Sequence, residues 1–144
     1  MDPARVLHGG CHCGRVRFTY AGELGGRQGA VTVCYCRDCR KAQGFAAAVA
    51  PAEAAGFKLT QGADLIREYE STPGKRRAFC AQCGSPLYSR RDDRPEVLRV
   101  RLGAFDDPLP DLRVEAQIHT AGRPAWTTSV GEAPAYPGAE PERA

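Results

Sequence analysis

Short apolar or alternating runs, separated by turn-forming residues, dominate the chain and predict β-strands. Residues 15–20 alternate polar and apolar side chains, as a half-buried strand does. Further strands are predicted over residues 30–33, 45–50, 65–69, 77–79 and 97–102. Turn signals at residues 25–26, 61–64, 72–74 and 106–108 separate these runs.

One segment has helical character. Residues 38–43 predict one or two helical turns that end at Gly44, a residue suited to a helix C-cap. The 16 glycines and 11 prolines leave little room for longer helices. We therefore predict a mainly β domain with one short helix over residues 5–130, followed by a Pro- and Glu-rich, flexible tail over residues 134–144.

Composition decides how the seven cysteines are interpreted. Hydrophobic residues make up 42% of the chain and charged residues 26%, which is typical of a soluble globular protein. No run reaches the length of a membrane helix, and no basic stretch leads into an apolar segment at the N-terminus. We expect a cytoplasmic protein with no membrane partner. In that reducing compartment, an odd number of clustered cysteines favours metal binding over disulfides.

Two cysteine pairs share one detail, a glycine directly after the second cysteine. They are Cys11-His12-Cys13-Gly14 and Cys80-Ala81-Gln82-Cys83-Gly84. A zinc knuckle turns the backbone so that amides point at the sulfur atoms, and glycine adopts the positive φ that follows. Four thiolates complete a tetrahedral structural zinc site, which would tie together two distant parts of the chain. The alternative is a set of buried, reduced cysteines.

The third group, Cys34, Cys36 and Cys39, has no fourth cysteine. Three protein ligands and one open position form the pattern of a catalytic zinc site. Water, a substrate thiol or a side chain could fill the fourth place, and the candidate side chains are Asp38, His8, His12 and His119. A redox pair, an iron–sulfur site and a second closed zinc site remain alternatives.

Metal binding also changes the charge of the chain. The formal charge is +3 with neutral thiols, but seven thiolates subtract seven charges and two Zn²⁺ ions return four. The metallated protein is therefore close to neutral, and no basic–aromatic surface is evident. We predict no nucleic-acid partner.

Five blocks of the sequence match one known family in its order. They are residues 8–18 (HGGCHCGRVRF), 34–44 (CYCRDCRKAQG), 79–88 (FCAQCGSPLY), 102–108 (LGAFDDP) and 123–126 (RPAW). In these blocks the chain resembles the glutathione-dependent formaldehyde-activating enzyme family, also called the CENP-V/GFA domain. One departure is Gln117, which stands where many relatives carry histidine in a His-Ile pair.

The resemblance implies an Mss4-like, mainly β fold that is stapled by zinc. It also implies two Zn²⁺ per chain, a structural ion on Cys11, Cys13, Cys80 and Cys83 and a catalytic-type ion on Cys34, Cys36 and Cys39. The reaction it implies is that of a carbon–sulfur lyase, which joins formaldehyde and glutathione into S-hydroxymethylglutathione or splits that adduct. The basic residues Arg37, Arg40 and Lys41 could then pair with glutathione carboxylates, or could simply be a solvated rim.

Other functions remain open from the sequence. A non-catalytic carrier of glutathione or another small thiol would use the same site, and a zinc-stabilised interaction module is a more distant alternative. Three thiolates make zinc a weak Lewis acid, which disfavours a zinc hydrolase. Trp126 could belong to the core or to a pocket wall, and the oligomeric state is not predicted.

Overall fold

The computed structural model of the protein describes residues 5–140 and consists mainly of β-strands. In chain order the strands are β1 (Val6–Gly10), β2 (Arg17–Ala21), β3 (Ala30–Cys34), β4 (Ala47–Glu53), β5 (Phe57–Gln61), β6 (Ile66–Thr72), β7 (Lys75–Cys80), β8 (Pro86–Arg91), β9 (Arg94–Arg101) and β10 (Arg113–Ile118). Within these described residues there is one α-helix, α1 (Arg37–Gln43). The remaining helical segments are 3₁₀ turns at Ala54–Gly56, Ala63–Leu65, Leu102–Ala104, Thr120–Gly122 and Ala125–Glu132.

The strands form two sheets. Strands β1, β2 and β5 make a three-stranded antiparallel sheet, and the other strands make a sheet in the order β10-β3-β4-β9-β8-β7-β6. Neighbours in the larger sheet are antiparallel, except that β10 runs parallel to β3. This topology places the C-terminal end of β3, which carries the central cysteine group, near strands from the second half of the chain.

One apolar core joins the two sheets. Alternation along β2 buries Phe18 and Tyr20, and alternation along β9 buries Leu98 and Val100 in the same cluster. Burying each of these large side chains stabilises the fold by about 1.5–3 kcal/mol. The Tyr20 hydroxyl donates to the carbonyl of Glu23 at 2.7 Å and accepts the Glu53 amide at 3.1 Å, so its burial leaves no polar group unpaired.

The predicted mainly β fold with one short helix is confirmed. The helix begins one residue earlier than predicted and ends at Gly44, whose φ of 81° is left-handed and whose amide donates to the carbonyl of Arg40 at 2.8 Å. The strand predicted over residues 15–20 begins two residues later, because the Val16 amide donates to the Cys11 sulfur at 3.2 Å and not to a strand.

Strand β4 continues through Pro51, where the sequence predicted that it would stop. On one side, β3 pairs with β4 only as far as Val49, so the proline nitrogen faces no ladder partner there. On the other side, the pairing with β9 runs on to Glu53. The carbonyl of Pro51 accepts the Gly25 amide at 2.9 Å, which keeps this part of the backbone satisfied.

Strands β1, β5, β8 and β10 were not predicted. Strand β1 ends in two glycines, which have low β-propensity, but tertiary packing requires them there. A Cβ on Gly9 would lie 2.3 Å from the Ala104 carbonyl oxygen, and one on Gly10 would lie 2.2 Å from the Val16 carbonyl oxygen. The close approach of neighbouring backbone, which a single sequence does not display, therefore overrides local propensity.

The predicted tail begins in exposed residues. Residues 134–140 belong to no helix or strand, and residues 141–144 lie outside the described part of the chain. The domain boundaries and the flexibility of the tail stay predictions. No helix among residues 5–140 is long and apolar enough to cross a membrane.

Candidate metal centre

Four cysteines meet where the two sheets approach each other. Cys11 and Cys13 lie in the turn between β1 and β2, Cys80 ends β7, and Cys83 lies in the turn before β8. We call them the four-cysteine cluster. All four sulfur atoms lie within 4.8 Å of one another, with Cys11–Cys13 at 3.4 Å and Cys13–Cys80 at 4.0 Å. Tetrahedral zinc with bonds of about 2.3 Å places its sulfur ligands about 3.8 Å apart, whereas a disulfide needs about 2.0 Å. The four-cysteine cluster therefore fits a tetrahedral metal ion.

Both turns of this cluster have the knuckle geometry that the sequence predicted. Gly14 and Gly84 have φ of 80° and 78°, in the left-handed region that glycine adopts without strain. Their amides donate to the carbonyls of Cys11 at 3.1 Å and Cys80 at 2.8 Å. The chain thus turns tightly around the sulfur atoms.

Ser85 connects the two knuckles. Its hydroxyl oxygen accepts the His12 amide at 2.9 Å and lies 3.2 Å from the sulfur of Cys83. Hydrogen bonds from the side chain and backbone of Ser85 lower the pKa of Cys83 to about 5, which favours the thiolate that a metal ion binds. His12 itself is exposed and does not belong to the group of converging ligand atoms.

The second group of cysteines, the three-cysteine cluster, is formed by one short stretch of chain. Cys34 ends β3, Cys36 is the N-cap of α1, and Cys39 lies in the first turn of that helix. Their sulfur atoms lie within 4.8 Å of one another. The Cys39 amide donates to the Cys36 sulfur at 3.3 Å. Cys34 and Cys39 are buried and Cys36 is half-buried.

The environment differentiates the three thiols. Burial raises the pKa of Cys34 to about 11. Burial also raises the pKa of Cys36, but the Cys39 amide and the neighbouring sulfur atoms outweigh it and lower the pKa overall. A metal ion would deprotonate all three, since thiolate is the ligating form.

No histidine or carboxylate of residues 5–140 joins the three-cysteine cluster. Asp38 lies 3.5 Å from Arg37, and His8 lies 3.1 Å from Asp107, so both have other partners. His119 is exposed. Of the predicted sources for a fourth ligand, those within the described residues do not reach the cluster.

A cavity of about 340 Å³ opens beside Cys34 and Cys39. Basic residues and one serine hydroxyl of the neighbouring strands β7, β8 and β9 face this side of the cluster, and we call them the basic face. They are Lys75 and Arg77 of β7, Ser89 and Arg91 of β8, and Arg99 and Arg101 of β9. All except Arg77 line the cavity, and Arg77 points both guanidinium Nη atoms at the Cys39 sulfur, at 3.7 and 3.8 Å.

Arg101 is the most buried arginine of the basic face, with 6% of its surface exposed. Its Nε donates to the side-chain oxygen of Gln43 at 2.8 Å, and its Nη1 donates to the Ser89 hydroxyl at 3.3 Å and the Arg99 carbonyl at 3.2 Å. Burial and the nearby charge of Arg77 lower the pKa of Arg101 to about 10. Burial and Arg77 also lower the pKa of Lys75. An anion at this place would relieve both effects.

The basic residues predicted to bind substrate lie elsewhere. Arg37 has 76% of its side chain exposed. Arg40 and Lys41 line a separate groove with Phe45 and Trp126. None of the three lines the cavity beside Cys34 and Cys39, and their role in substrate binding stays a prediction.

Sequence reasoning did not single out the basic face, although a signal was present. In the predicted strand over residues 97–102, Leu98 and Val100 alternate with Arg99 and Arg101. A strand that buries the first pair must direct the second pair to the opposite face of the sheet. Which site that face borders depends on strand order, which the alternation does not reveal.

Aromatic residues line the separate groove. Trp126 packs on Phe45 with ring centroids 5.3 Å apart and is 59% exposed, so it forms a wall of the groove and is not part of the core. The Gln117 side-chain oxygen accepts the Tyr35 hydroxyl at 3.3 Å and Arg123 Nη1 at 3.4 Å. Gln117 therefore ties β10 to the segment that carries the cysteines.

Fold and site together define a small β-protein with two cysteine clusters suited to metal ions, one of them beside a cationic cavity. The sequence model of the GFA family, described as glutathione-dependent formaldehyde-activating enzyme, matches residues 6–122. The chain belongs to this family, which confirms the resemblance seen in the sequence.

Two individual proteins are similar to the chain. A curated relative from Halomonas elongata, named "Putative glutathione-dependent formaldehyde-activating enzyme", is 30% identical over 128 residues, which are 84% of this chain and 79% of the relative. The crystal structure of a Rhodobacter sphaeroides protein, a structural-genomics target, is similar with a TM-score of 0.63. It shares 26% identity and covers 77% of this chain and 99% of its own.

Proposed function

We propose that the protein is a zinc-dependent carbon–sulfur lyase-type enzyme that acts on adducts of glutathione, or a similar thiol, with formaldehyde or a related small carbonyl. Family membership supports the thiol and the carbonyl. The observation that carries the proposal is the three-cysteine cluster, which has no fourth ligand among residues 5–140 and opens on a cavity. A site of this kind has room for a ligand thiol.

Two Zn²⁺ ions fit the two clusters. The four-cysteine cluster has the separations of a closed tetrahedral site, and the three-cysteine cluster has a donor set with one position left over. Zinc is supported over a hard cation such as magnesium, because every donor is a soft thiolate. Bound in the second cluster, zinc would supply a place for a thiol and would lower the pKa of that thiol.

The reaction requires one bond change and one proton movement. In the direction of addition, the thiol sulfur forms a bond to the formaldehyde carbon, the C=O π electrons move to oxygen, and the proton lost by the thiol ends on that oxygen. Cleavage of the adduct reverses each change.

The residues around the cavity can serve both needs. Arg77 holds the Cys39 sulfur in place through its two Nη contacts. The hydroxyl of Ser89, which already accepts from Arg101, has its own proton free to donate to the developing oxyanion.

Two-dimensional exchange NMR on a mixture of formaldehyde and glutathione tests this function. We expect the zinc-loaded protein to accelerate exchange between free glutathione and S-hydroxymethylglutathione above the buffer rate. A folded Cys36→Ser variant should return the rate to background, because it removes a ligand from the three-cysteine cluster only. Exchange at the buffer rate with wild-type protein would contradict the enzyme proposal. Saturable glutathione binding without acceleration would instead identify a thiol carrier.

A further inference from the structure

The charges of the basic face destabilise the fold. Lys75 stands directly opposite Arg91 on neighbouring strands, and Arg99 and Arg77 flank Ser89 on either side. Like charges in such cross-strand positions destabilise a sheet. Arg77 and Arg101 are also buried, with 8% and 6% of their surfaces exposed, and a buried cation without an anionic partner is strongly unfavourable. A fold that retains this arrangement needs an anion to balance it.

The second metal site balances only part of this charge. Three thiolates and one Zn²⁺ sum to one negative charge, and Arg77 at the Cys39 sulfur offsets it. Arg101 and Lys75 then remain in excess, together with Arg99, which is exposed. The hydrogen bonds of Arg101 go to neutral groups, and no bond from its Nη2 is found within residues 5–140.

The cavity wall itself offers no carboxylate. Among the described residues that line it there is no aspartate or glutamate, and Arg91 alone has an acidic partner, Asp93, at 3.0 Å outside the cavity. The missing negative charge must therefore come from a ligand. A cavity of about 340 Å³ suits a small molecule and not a macromolecule.

We infer that the basic face is a carboxylate receptor, and that Arg101 and Lys75 make the site select thiols, or thiol–carbonyl adducts, that carry a carboxylate. This inference rests on the proposed function in one respect, since it takes the thiol to bind at the three-cysteine cluster. The planar guanidinium of Arg101 offers its free Nη2 to a carboxylate oxygen, and Lys75 Nζ offers a second charge from the neighbouring part of the wall. Arg101 and Lys75 are thus specificity-determining residues that the sequence did not reveal.

Two thiols of equal length test the inference without any mutation. Calorimetric titration of the zinc-loaded protein compares 3-mercaptopropionate with 3-mercapto-1-propanol, in which a neutral hydroxymethyl group replaces the carboxylate. We expect the acid to bind at least about tenfold more tightly, the effect of one charge-assisted hydrogen bond. Zinc content measured after each titration checks that the thiol has not removed the metal. Equal dissociation constants for the two thiols would overturn the inference.

Variants then locate the selectivity. Arg101→Gln and Lys75→Gln should each weaken binding of the acid about tenfold and change binding of the alcohol less than about twofold. Arg113→Gln is the matched control, because Arg113 is 80% exposed and pairs with Glu115 on β10. It should leave both affinities unchanged. Lys75 is only half-buried, so Lys75→Gln keeps the test available if Arg101→Gln does not fold. Folded Lys75 and Arg101 variants with the wild-type preference for the acid would overturn the assignment.

The inference and the proposed function fail in different ways. Selective binding of the acid without accelerated formaldehyde exchange supports the carboxylate receptor and contradicts the enzyme. Accelerated exchange with equal affinities for both thiols supports the enzyme and overturns the receptor. Failure of the zinc-loaded protein to bind either thiol overturns the receptor, whereas the enzyme is decided by the exchange experiment with glutathione.

Discussion

The four-cysteine cluster and the three-cysteine cluster use the same ligand atom in different surroundings. The four-cysteine cluster joins two knuckles, and neutral backbone amides and Ser85 surround its sulfur atoms. The three-cysteine cluster arises from six consecutive positions, and a sheet of basic side chains stands beside it. In the first, contacts reach across 73 positions of the chain, as between the His12 amide and Ser85. In the second, the three cysteines are close together in the sequence as well as in space.

Under the proposed function, this difference separates a stabilising metal site from a reactive one. Closing a long loop costs conformational entropy that only a strong link offsets, and four thiolates around one ion form such a link. A local cluster closes almost no loop, so its metal adds little to folding. It retains an open side and charged neighbours, which are the properties that a binding site needs.

The largest effect should follow from removing a ligand of the four-cysteine cluster. Cys80→Ser changes a fully buried residue at the junction of the two sheets. We expect the variant to lose its structural zinc and either to unfold or to melt about 10 °C or more below wild type, because structural zinc binding is itself folding free energy. Circular dichroism melting and elemental analysis measure both quantities. An unchanged melting temperature would show that this cluster does not hold the fold.

The corresponding change in the three-cysteine cluster should spare the fold. Cys36→Ser should reduce the zinc content from two ions per chain to about one, with a melting temperature within a few degrees of wild type. Elemental analysis of chelator-free protein checks the count. Two zinc ions retained in the folded variant would contradict the assignment of Cys36 as a ligand.

A smaller effect is expected from Arg77, the basic residue whose guanidinium contacts the three-cysteine cluster. Arg77→Met removes the two contacts to the Cys39 sulfur and should weaken zinc binding at that cluster by about 10–100-fold, as loss of an outer-shell partner does. Chelator competition measures the affinity of each site. The neighbouring Arg76→Met is the control, since Arg76 pairs with Asp92 on the other side of β7. Equal zinc affinity in both variants would contradict a supporting role for Arg77.

The smallest effect concerns the glycines that shape the two sites. Gly84 of the second knuckle and Gly44 at the end of α1 have φ of 78° and 81°, and an added Cβ at either would meet nothing within 4 Å. Gly84→Ala and Gly44→Ala should therefore cost only the left-handed strain, about 1 kcal/mol, or a few degrees in melting temperature. Gly84→Ala should also loosen the four-cysteine zinc, whereas Gly44→Ala should leave that zinc in place. A loss of several kcal/mol in either variant would point to contacts beyond the backbone strain.

The fold could be predicted from the sequence where the local pattern of residues agreed with their packing in the tertiary structure. Alternation in residues 15–20 and 97–102 located β2 and β9, and Gly44 located the end of the helix. Prediction failed where the reason lay in a distant part of the chain. The glycines of β1 are explained by the close approach of the backbone of Ala104 and Val16. The continuation of β4 through Pro51 is explained by the point at which β3 stops pairing with it.

By itself, the sequence determined the partition of the cysteines and the turns that present them. Spacing along the chain and the glycines that follow each knuckle are local properties, so no tertiary information was needed. Only the tertiary structure decided which charged residues stand beside the three-cysteine cluster. Arg77, Arg101 and Lys75 come from strands that lie far from it in sequence, and strand order brought them there, whereas Arg37, Arg40 and Lys41, adjacent in sequence, line no part of its cavity. The physical reason is that sequence neighbours on a helix diverge around its axis, while alternate residues on paired strands converge on one face of the sheet.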